Sequence, residues 1–231
     1  MKILGIDTSS PSGSVALLDN EFVVSESLLP DSPAYSNKLL KEVNGILNRS
    51  KTRLNELDGF VITKGPGSFT GLRVGMSLIK GLILAIEKPF VSINTLNAYA
   101  ETVKPGPYAI CPVLDARKKE VYTALFSSKN HLYIKETSDQ AIPPKILCDQ
   151  IKQPTAFVGN GLKVYKELFT SCLKKNFVRD VPFKNITVAA SACLIALRDF
   201  KGDMNCDLDS LTINYVRASE AELNYSGTIS K

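Results

Sequence analysis

Two aspartates and one glycine-rich run hold the residues of this 231-residue sequence best suited to chemistry. Asp7 follows the strand-like Ile3-Leu4-Gly5-Ile6 and precedes a loop of small residues, Thr8-Ser9-Ser10-Pro11-Ser12-Gly13. Asp115 follows Ile110-Cys111-Pro112-Val113-Leu114 and precedes Ala116-Arg117-Lys118-Lys119. Kinases and ATPases built on paired hairpins need glycines beside such aspartates, so that backbone reaches the phosphates while carboxylates hold magnesium. Neither hairpin has an Asp-x-Gly pattern. Asp7, Thr8, Ser9, Asp115 and Arg117 therefore read as degenerate phosphate-loop positions, and autonomous phosphoryl transfer is not expected. Asp7 fits a hairpin-tip residue bonding local N–H groups, with magnesium ligation as the alternative. Asp115, Arg117 and Glu120 fit an ion-paired tip, with ligand contact as the alternative.

The glycine-rich run is Lys64-Gly65-Pro66-Gly67-Ser68-Phe69-Thr70-Gly71-Leu72-Arg73-Val74-Gly75. It joins Phe60-Val61-Ile62-Thr63 to a long apolar helix. Gly65 and Gly67 admit backbone angles closed to other residues, Pro66 stiffens the turn, and Ser68 or Thr70 can cap the helix. Free N–H groups at a helix start attract anions, although a tight strand-to-helix connection explains the same residues. The spacing is not the phosphate loop G-x-x-x-x-G-K-[ST]. It is not a serine-hydrolase elbow either, because Gly67-Ser68-Phe69-Thr70-Gly71 sets the serine one position early. With one histidine, His131, and no H-E-x-x-H pair, a metallopeptidase lacks its ligands, and no metal site is expected. Five cysteines without a C-x-x-C pair fit reduced, mostly buried thiols.

The predicted helix from Thr70 to Glu87 carries one apolar stripe, Leu72, Met76, Ile79, Ile83 and Ile86, and a second, Val74, Leu78, Leu82 and Ala85. A helix so apolar needs cover on two sides, its own sheet and something further. Gly71, Gly75 and Gly81 would let a neighbouring helix approach. Lys80, Glu87 and Lys88 leave too few consecutive apolar residues for a membrane span. An earlier helix starts near Ser32 and Pro33, with Leu39, Leu40, Val43, Ile46 and Leu47 at helical spacing.

The chain tells this story twice. Each half has a hairpin tipped by an aspartate, a third strand (Glu21 to Ser27; His131 to Lys135), a helix, a short strand and more helix. In the second half, helices at Pro144 to Ile151 and Leu162 to Leu173 bracket the strand Thr155-Ala156-Phe157-Val158, Gly159-Asn160-Gly161 supplies the turn, and a last helix starts at Val188. The class is α/β, with a boundary at Val103-Lys104-Pro105-Gly106-Pro107. The expected division is an N-terminal lobe at 1–105 and a C-terminal lobe at 106–231, whose last segment can pack back on the first.

At 44% hydrophobic and 22% charged the composition is that of a folded soluble protein, and the first residues enter a strand without an export signal, so the cytoplasm is expected. Net charge is +5. The excess is local, with Lys163, Lys166, Lys174, Lys175, Arg179 and Lys184 against Glu167 and Asp180; this is either a solvated helical face or an RNA-facing patch.

Four segments together resemble the TsaB (YeaZ) family: Ile6-Asp7-Thr8-Ser9, the run from Gly65 to Arg73, Leu114-Asp115-Ala116-Arg117-Lys118-Lys119-Glu120-Val121-Tyr122, and Gly159-Asn160-Gly161. The resemblance runs from Met1 to about Arg217. It implies a two-lobed actin-like, hexokinase-like and Hsp70-like ATPase fold (ASKHA, ribonuclease H-like lobes) with a degenerate nucleotide site. It also implies a non-catalytic dimerisation subunit of the bacterial complex that makes N6-threonylcarbamoyladenosine (t6A) in tRNA. The implied partners are the catalytic paralogue TsaD, the ATPase TsaE and, through the complex, tRNA; the chain would homodimerise when TsaD is absent. No cofactor is expected on the chain alone, and a nucleotide is possible at the interface with TsaD. The implied pairing surface is the first two helices, here Tyr35, Leu39, Val43, Ile46, Leu72, Gly75, Met76, Ile79 and Ile83. Relatives commonly have His-Ser-Glu where this chain has Tyr35-Ser36-Asn37. The closing motif, commonly Pro-x-Tyr-Leu-Arg, reads Ile213-Asn214-Tyr215-Val216-Arg217. A small-molecule kinase or ATPase of the same fold is the alternative.

Overall fold

The computed structural model of the chain describes residues 1–30, 35–129, 132–198 and 207–217. Two sheets and the helices between and around them form five layers. The first sheet has the order β3-β2-β1-β4-β5, built from β1 (Lys2–Asp7), β2 (Ser14–Asp19), β3 (Phe22–Leu28), β4 (Gly59–Thr63) and β5 (Phe90–Ile93). β1, β2 and β3 run antiparallel, whereas β4 and β5 continue parallel to β1. The second sheet repeats the plan. β6 (Ala109–Asp115) returns through β7 (Val121–Thr123) and β8 (Phe126–Lys129) to β9 (Leu132–Lys135), and β11 (Thr155–Val158) lies parallel to β6. The return strand of this hairpin is broken at Ala124-Leu125, between β7 and β8. Its first part pairs with β10 (Gln140–Ile142), and neither β10 nor β5 was foreseen.

Strict alternation along the strands feeds opposite faces to different helices. Leu4 and Ile6 of β1, with Val15, Leu17, Phe60 and Ile62, face α1 (Tyr35–Arg49) and α2 (Phe69–Ile86). Ile3 of β1, with Ala16, Leu18 and Val61, faces α6 (Val188–Ala196). The same rule divides β6. Ile110 and Leu114 meet α3 (Thr95–Glu101), while Cys111 and Val113 meet α4 (Pro144–Gln150) and α5 (Leu162–Leu173). A strand buried on both faces must read as a continuous apolar run, and these do.

α6 is built from small residues because it lies almost on the backbone of β1. A Cβ placed on Gly5 would stand 2.4 Å from Cys193 Sγ and 2.8 Å from the Ala189 carbonyl oxygen. The chain after the second sheet therefore returns to the first, and Leu211 of the closing segment also enters the core beneath α1 and α2. Cys111 and Cys193 are buried, Cys148 is half-buried and Cys172 is exposed. His131 and Cys206 lie outside the described residues.

Gly5→Ala is expected to cost about 1–3 kcal/mol by overpacking. Adding Cys193→Ala should return part of that loss and leave the part due to the Ala189 carbonyl; a denaturant-midpoint cycle measures the split.

Candidate functional site

Hairpin β1–β2 and the start of α2 meet along a face that has no room for side chains. A Cβ on Gly67 would lie 2.3 Å from the Ser9 carbonyl oxygen, one on Gly71 2.2 Å from the Thr8 carbonyl oxygen, and one on Gly75 2.2 Å from Thr8 Oγ1. Gly71 and Gly75, four residues apart, share one face of the helix, and Gly67 precedes its cap. Their function is to seat the hairpin tip, and the neighbouring helix that Gly71 and Gly75 were expected to admit is not what meets them. Gly81 alone of the helical glycines expected to admit a partner has open space beside it. Ser68 supplies the cap, its Oγ accepting from Gly71 N at 3.2 Å. Gly65 has φ +106° and precedes Pro66 in a cis peptide; the room a side chain would take there belongs to Asn214, whose carbonyl would lie 2.7 Å from a Cβ.

Asp7 is fully buried beneath this seat. Its Oδ1 accepts from Ser9 N (3.1 Å), Ser9 Oγ (2.6 Å) and Thr63 Oγ1 (2.7 Å). Burial raises its pKa above the ordinary 3.8, and the Ser9 and Thr63 hydrogen bonds oppose the rise. The carboxylate is a hairpin organiser, in keeping with the first of its two sequence readings.

Between the hairpins opens a cleft of about 420 Å³. One wall holds Ser9, Pro11 and the turn Gly67 to Thr70; the other holds Leu114 to Arg117, Tyr122 and Asn160. Tyr215 and Arg217 close its side. Tyr215 stacks on Phe69 with ring centroids 5.1 Å apart, Arg73 lies 3.9 Å over the Phe69 ring, and Arg73 Nε donates to the Tyr215 hydroxyl at 3.3 Å. Arg217 pairs with Glu120 at 2.8 Å and donates to the Ala116 carbonyl at 3.2 Å. Asn214 N donates to the Lys64 carbonyl at 2.7 Å, and its amide shares Asp139 Oδ2 with the Asn94 amide. The closing segment thus straps the cleft to both sheets. Pro11, Tyr122, Asn160 and Asp139 were not named as site residues, although Tyr122 and Asn160 stand in two of the motif segments.

Among the described residues Asp115 is the one carboxylate that lines the cleft, and its Oδ1 accepts from Arg117 N at 2.9 Å while Oδ2 faces the Arg117 guanidinium at 3.5 Å. Among the described residues no three His, Cys, Asp or Glu side chains converge where a metal could be held. The tip itself is strained. Arg117, Lys118 and Lys119 have φ of 60°, 50° and 62°, a left-handed run that costs non-glycine residues about 1–2 kcal/mol each.

The expected partner stripe needs correcting. Leu39, Val43, Ile46, Leu72, Gly75, Met76, Ile79 and Ile83 are all buried, and Leu39, Val43, Ile46, Met76, Ile79 and Ile83 fill the core over the first sheet. Tyr35 opens α1, but its side chain, like those of Ser36 and Asn37, lies outside the described residues. What the two helices leave outside is different: Leu40 is 46% exposed, Leu84 is 69% exposed, and Arg73, Ser77, Gly81 and Ala85 share the open side of α2. By length and composition α2 is also apolar enough to cross a membrane. Five of its residues are nevertheless buried against the protein.

The family described as tRNA N6-adenosine threonylcarbamoyltransferase matches residues 30–222. TsaB of Escherichia coli, a tRNA threonylcarbamoyladenosine biosynthesis protein, is 31% identical over 73% of this chain and 75% of its own. The chain belongs to the TsaB/YeaZ family. Bacillus subtilis TsaB is 29% identical over 97% of this chain and 98% of its own. YeaZ from Pseudomonas aeruginosa superposes with a TM-score of 0.72 at 21% identity, covering 93% of this chain and 99% of that one. A ROK hexokinase from Thermus thermophilus superposes at 0.50 with 11% identity, which extends the likeness to the two-lobed ATPase fold. The TsaB/YeaZ fold and its actin-like architecture are those anticipated from the motifs.

The glycine seat yields a direct contrast. Gly75→Ala should destabilise by about 1–3 kcal/mol, because Thr8 must move, whereas Gly81→Ala should stabilise by up to about 1 kcal/mol; urea midpoints of the two variants check both signs.

Asp7 yields a pH dependence. A raised native pKa means that its contribution is complete below the unfolded value and is lost as pH rises through the native one. Asp7→Asn keeps the Oδ1 acceptor without the charge. Its stability relative to the parent should therefore climb as pH rises above the ordinary carboxylate range, and parallel stability curves would refute the assignment.

Proposed function

We propose that this chain is the accessory subunit of a threonylcarbamoyltransferase complex, acting on the tRNA adenosine 3′ of the anticodon (position 37) by pairing with TsaD. The observation that carries the proposal is one of coverage. The chain matches TsaB of Bacillus subtilis over 98% of that protein, yet it matches the tRNA N6-adenosine threonylcarbamoyltransferase of Rickettsia canadensis over 47% of that one, at 27% identity. It is thus related to the transferase while being a TsaB in extent. The geometry supports the same reading, since a buried Asp7, a neutralised Asp115 and a strapped cleft leave no acidic pair to position a phosphoryl group.

On this reading TsaE joins the pair, tRNA is engaged through the complex, nucleotide is held at the interface with TsaD, and the work is done in the cytoplasm. The isolated chain turns nothing over and pairs with itself when TsaD is absent. The pairing surface is the open side of α1 and α2, marked by Leu40, Gly81 and Leu84, because the inward stripe is already committed to the core. Two exposed leucines beside a glycine with free space above it let another helix pack closely. A kinase or ATPase of the same fold would instead hydrolyse or transfer phosphate alone.

Reconstitution with TsaD, TsaE, tRNA and threonylcarbamoyl-adenylate is the test. Modification should require this chain, and Leu84→Arg should abolish co-elution with TsaD and lower activity at least about tenfold. The substitution lies on the surface and should leave stability within about 0.5 kcal/mol. Full activity without the chain, or phosphate turnover by the chain alone, would overturn the proposal.

A further inference from the structure

The tip of hairpin β6–β7 and the start of α5 stand side by side. Asp115 N donates to Asn160 Oδ1 at 3.1 Å, and Gly161 N donates to the Val113 carbonyl at 3.0 Å. These contacts bring Arg117, Lys118 and Lys119 to the same rim as Lys163 and Lys166, which sit three residues apart on α5, and all five are exposed. Lys119, Lys163 and Lys166 have no ion-pair partner among the described residues. The rim borders the cleft, where Tyr215 is 42% exposed and braced from behind by Phe69. The two acids of the hairpin are already neutralised, Asp115 by Arg117 and Glu120 by Arg217.

The turn at this tip is chemically unusual. Glu120 N donates to the Arg117 carbonyl at 2.9 Å across Lys118 and Lys119, both with positive φ. A turn of this kind is ordinarily made by Asn-Gly, which adopts it without strain. Here two lysines occupy it, so charge is displayed at the expense of backbone comfort. Strained backbone held at a cleft mouth points towards function.

We propose that this rim contacts the phosphate backbone of RNA, with one unpaired base stacked on the exposed face of Tyr215. The proposal rests on the reading that the chain works on tRNA, and it adds that the accessory subunit touches the RNA itself. The exposed Lys119, Lys163 and Lys166 supply sequence-independent attraction through counterion release, and an aromatic ring within a small cleft receives a base whatever its identity. An acidic protein would be drawn by the same cations but would gain nothing from Tyr215.

The test measures tRNA affinity against salt concentration for the chain bound to TsaD and for the chain alone. The variants are Lys118→Asn/Lys119→Gly, Lys163→Gln/Lys166→Gln and Tyr215→Leu. The hairpin double variant should melt at a higher temperature than the parent, which excludes misfolding, and still bind TsaD. Each double variant should weaken tRNA binding about tenfold or more at low salt and flatten the slope of log affinity against log salt by about 1.5. Tyr215→Leu should weaken binding about tenfold with the slope unchanged. Unchanged affinity in all three variants would overturn the inference. Competition by polyglutamate as effective as that of single-stranded RNA of equal charge would also overturn it, in favour of an acidic protein. If the parent fails to join TsaD but its isolated chain loses RNA binding in these variants, the pairing reading falls and the RNA surface stands.

Discussion

The tight seat of Thr8 and Ser9 against Gly67, Gly71 and Gly75 is the constraint on which the rest depends. With a side chain at Gly67, Gly71 or Gly75 the helix would have to withdraw from the hairpin. Its withdrawal would open the core that holds Met76, Ile79 and Ile83 and uncover the buried Asp7. Seated as it is, α2 has a fixed rotation about its axis. That rotation decides which residues are core and which, Leu84 among them, face outward. The same contact sets one wall of the cleft, because the turn that carries Gly67 and Ser68 runs directly from the seat into the capped first turn of the helix.

Much of the fold was legible because both sheets are buried on two faces. Continuous apolar runs ending in Asp7 and Asp115 marked β1 and β6, and the glycine-rich run marked the start of α2 within one residue. The α5 limits, Leu162 and Leu173, were read correctly because Gly159-Asn160-Gly161 marks the start and the apolar spacing is helical. β5 and β10 escaped because each is a short edge segment, Phe90–Ile93 and Gln140–Ile142, whose strand character comes from the neighbour it pairs with. The break in the return strand at Ala124-Leu125 escaped for the same reason.

The site was less legible, and the errors have physical causes. Helical periodicity identifies an apolar stripe but not which partner covers it, so the stripe assigned to another protein proved to be the one on the chain's own sheet. The small residues had a similar ambiguity. Gly75 and Gly81 look alike in sequence, yet one faces Thr8 and the other faces open space. Asp139 was not legible, since it gathers Asn94 and Asn214 from two distant segments beside its near neighbour Lys135. Tyr215 and Arg217 were visible as motif residues, and only the fold shows that they wall the cleft.

The closing segment carries the final argument. Two-lobed enzymes of this architecture work by hinge closure around a ligand, which requires lobes free to rotate. Here one strand of chain is tied to both. Leu211 is in the core of the first lobe, Asn214 holds Lys64 on that side and Asp139 on the other, and Arg217 reaches the second hairpin through Glu120 and the Ala116 carbonyl. Arg217 and Glu120 are partly solvated, so their ion pair adds modest stability on its own. Its effect comes from joining a series of contacts along one short segment, each of which would have to break for the cleft to widen. The closing segment therefore couples the two walls of the cleft, since widening it would break these contacts together.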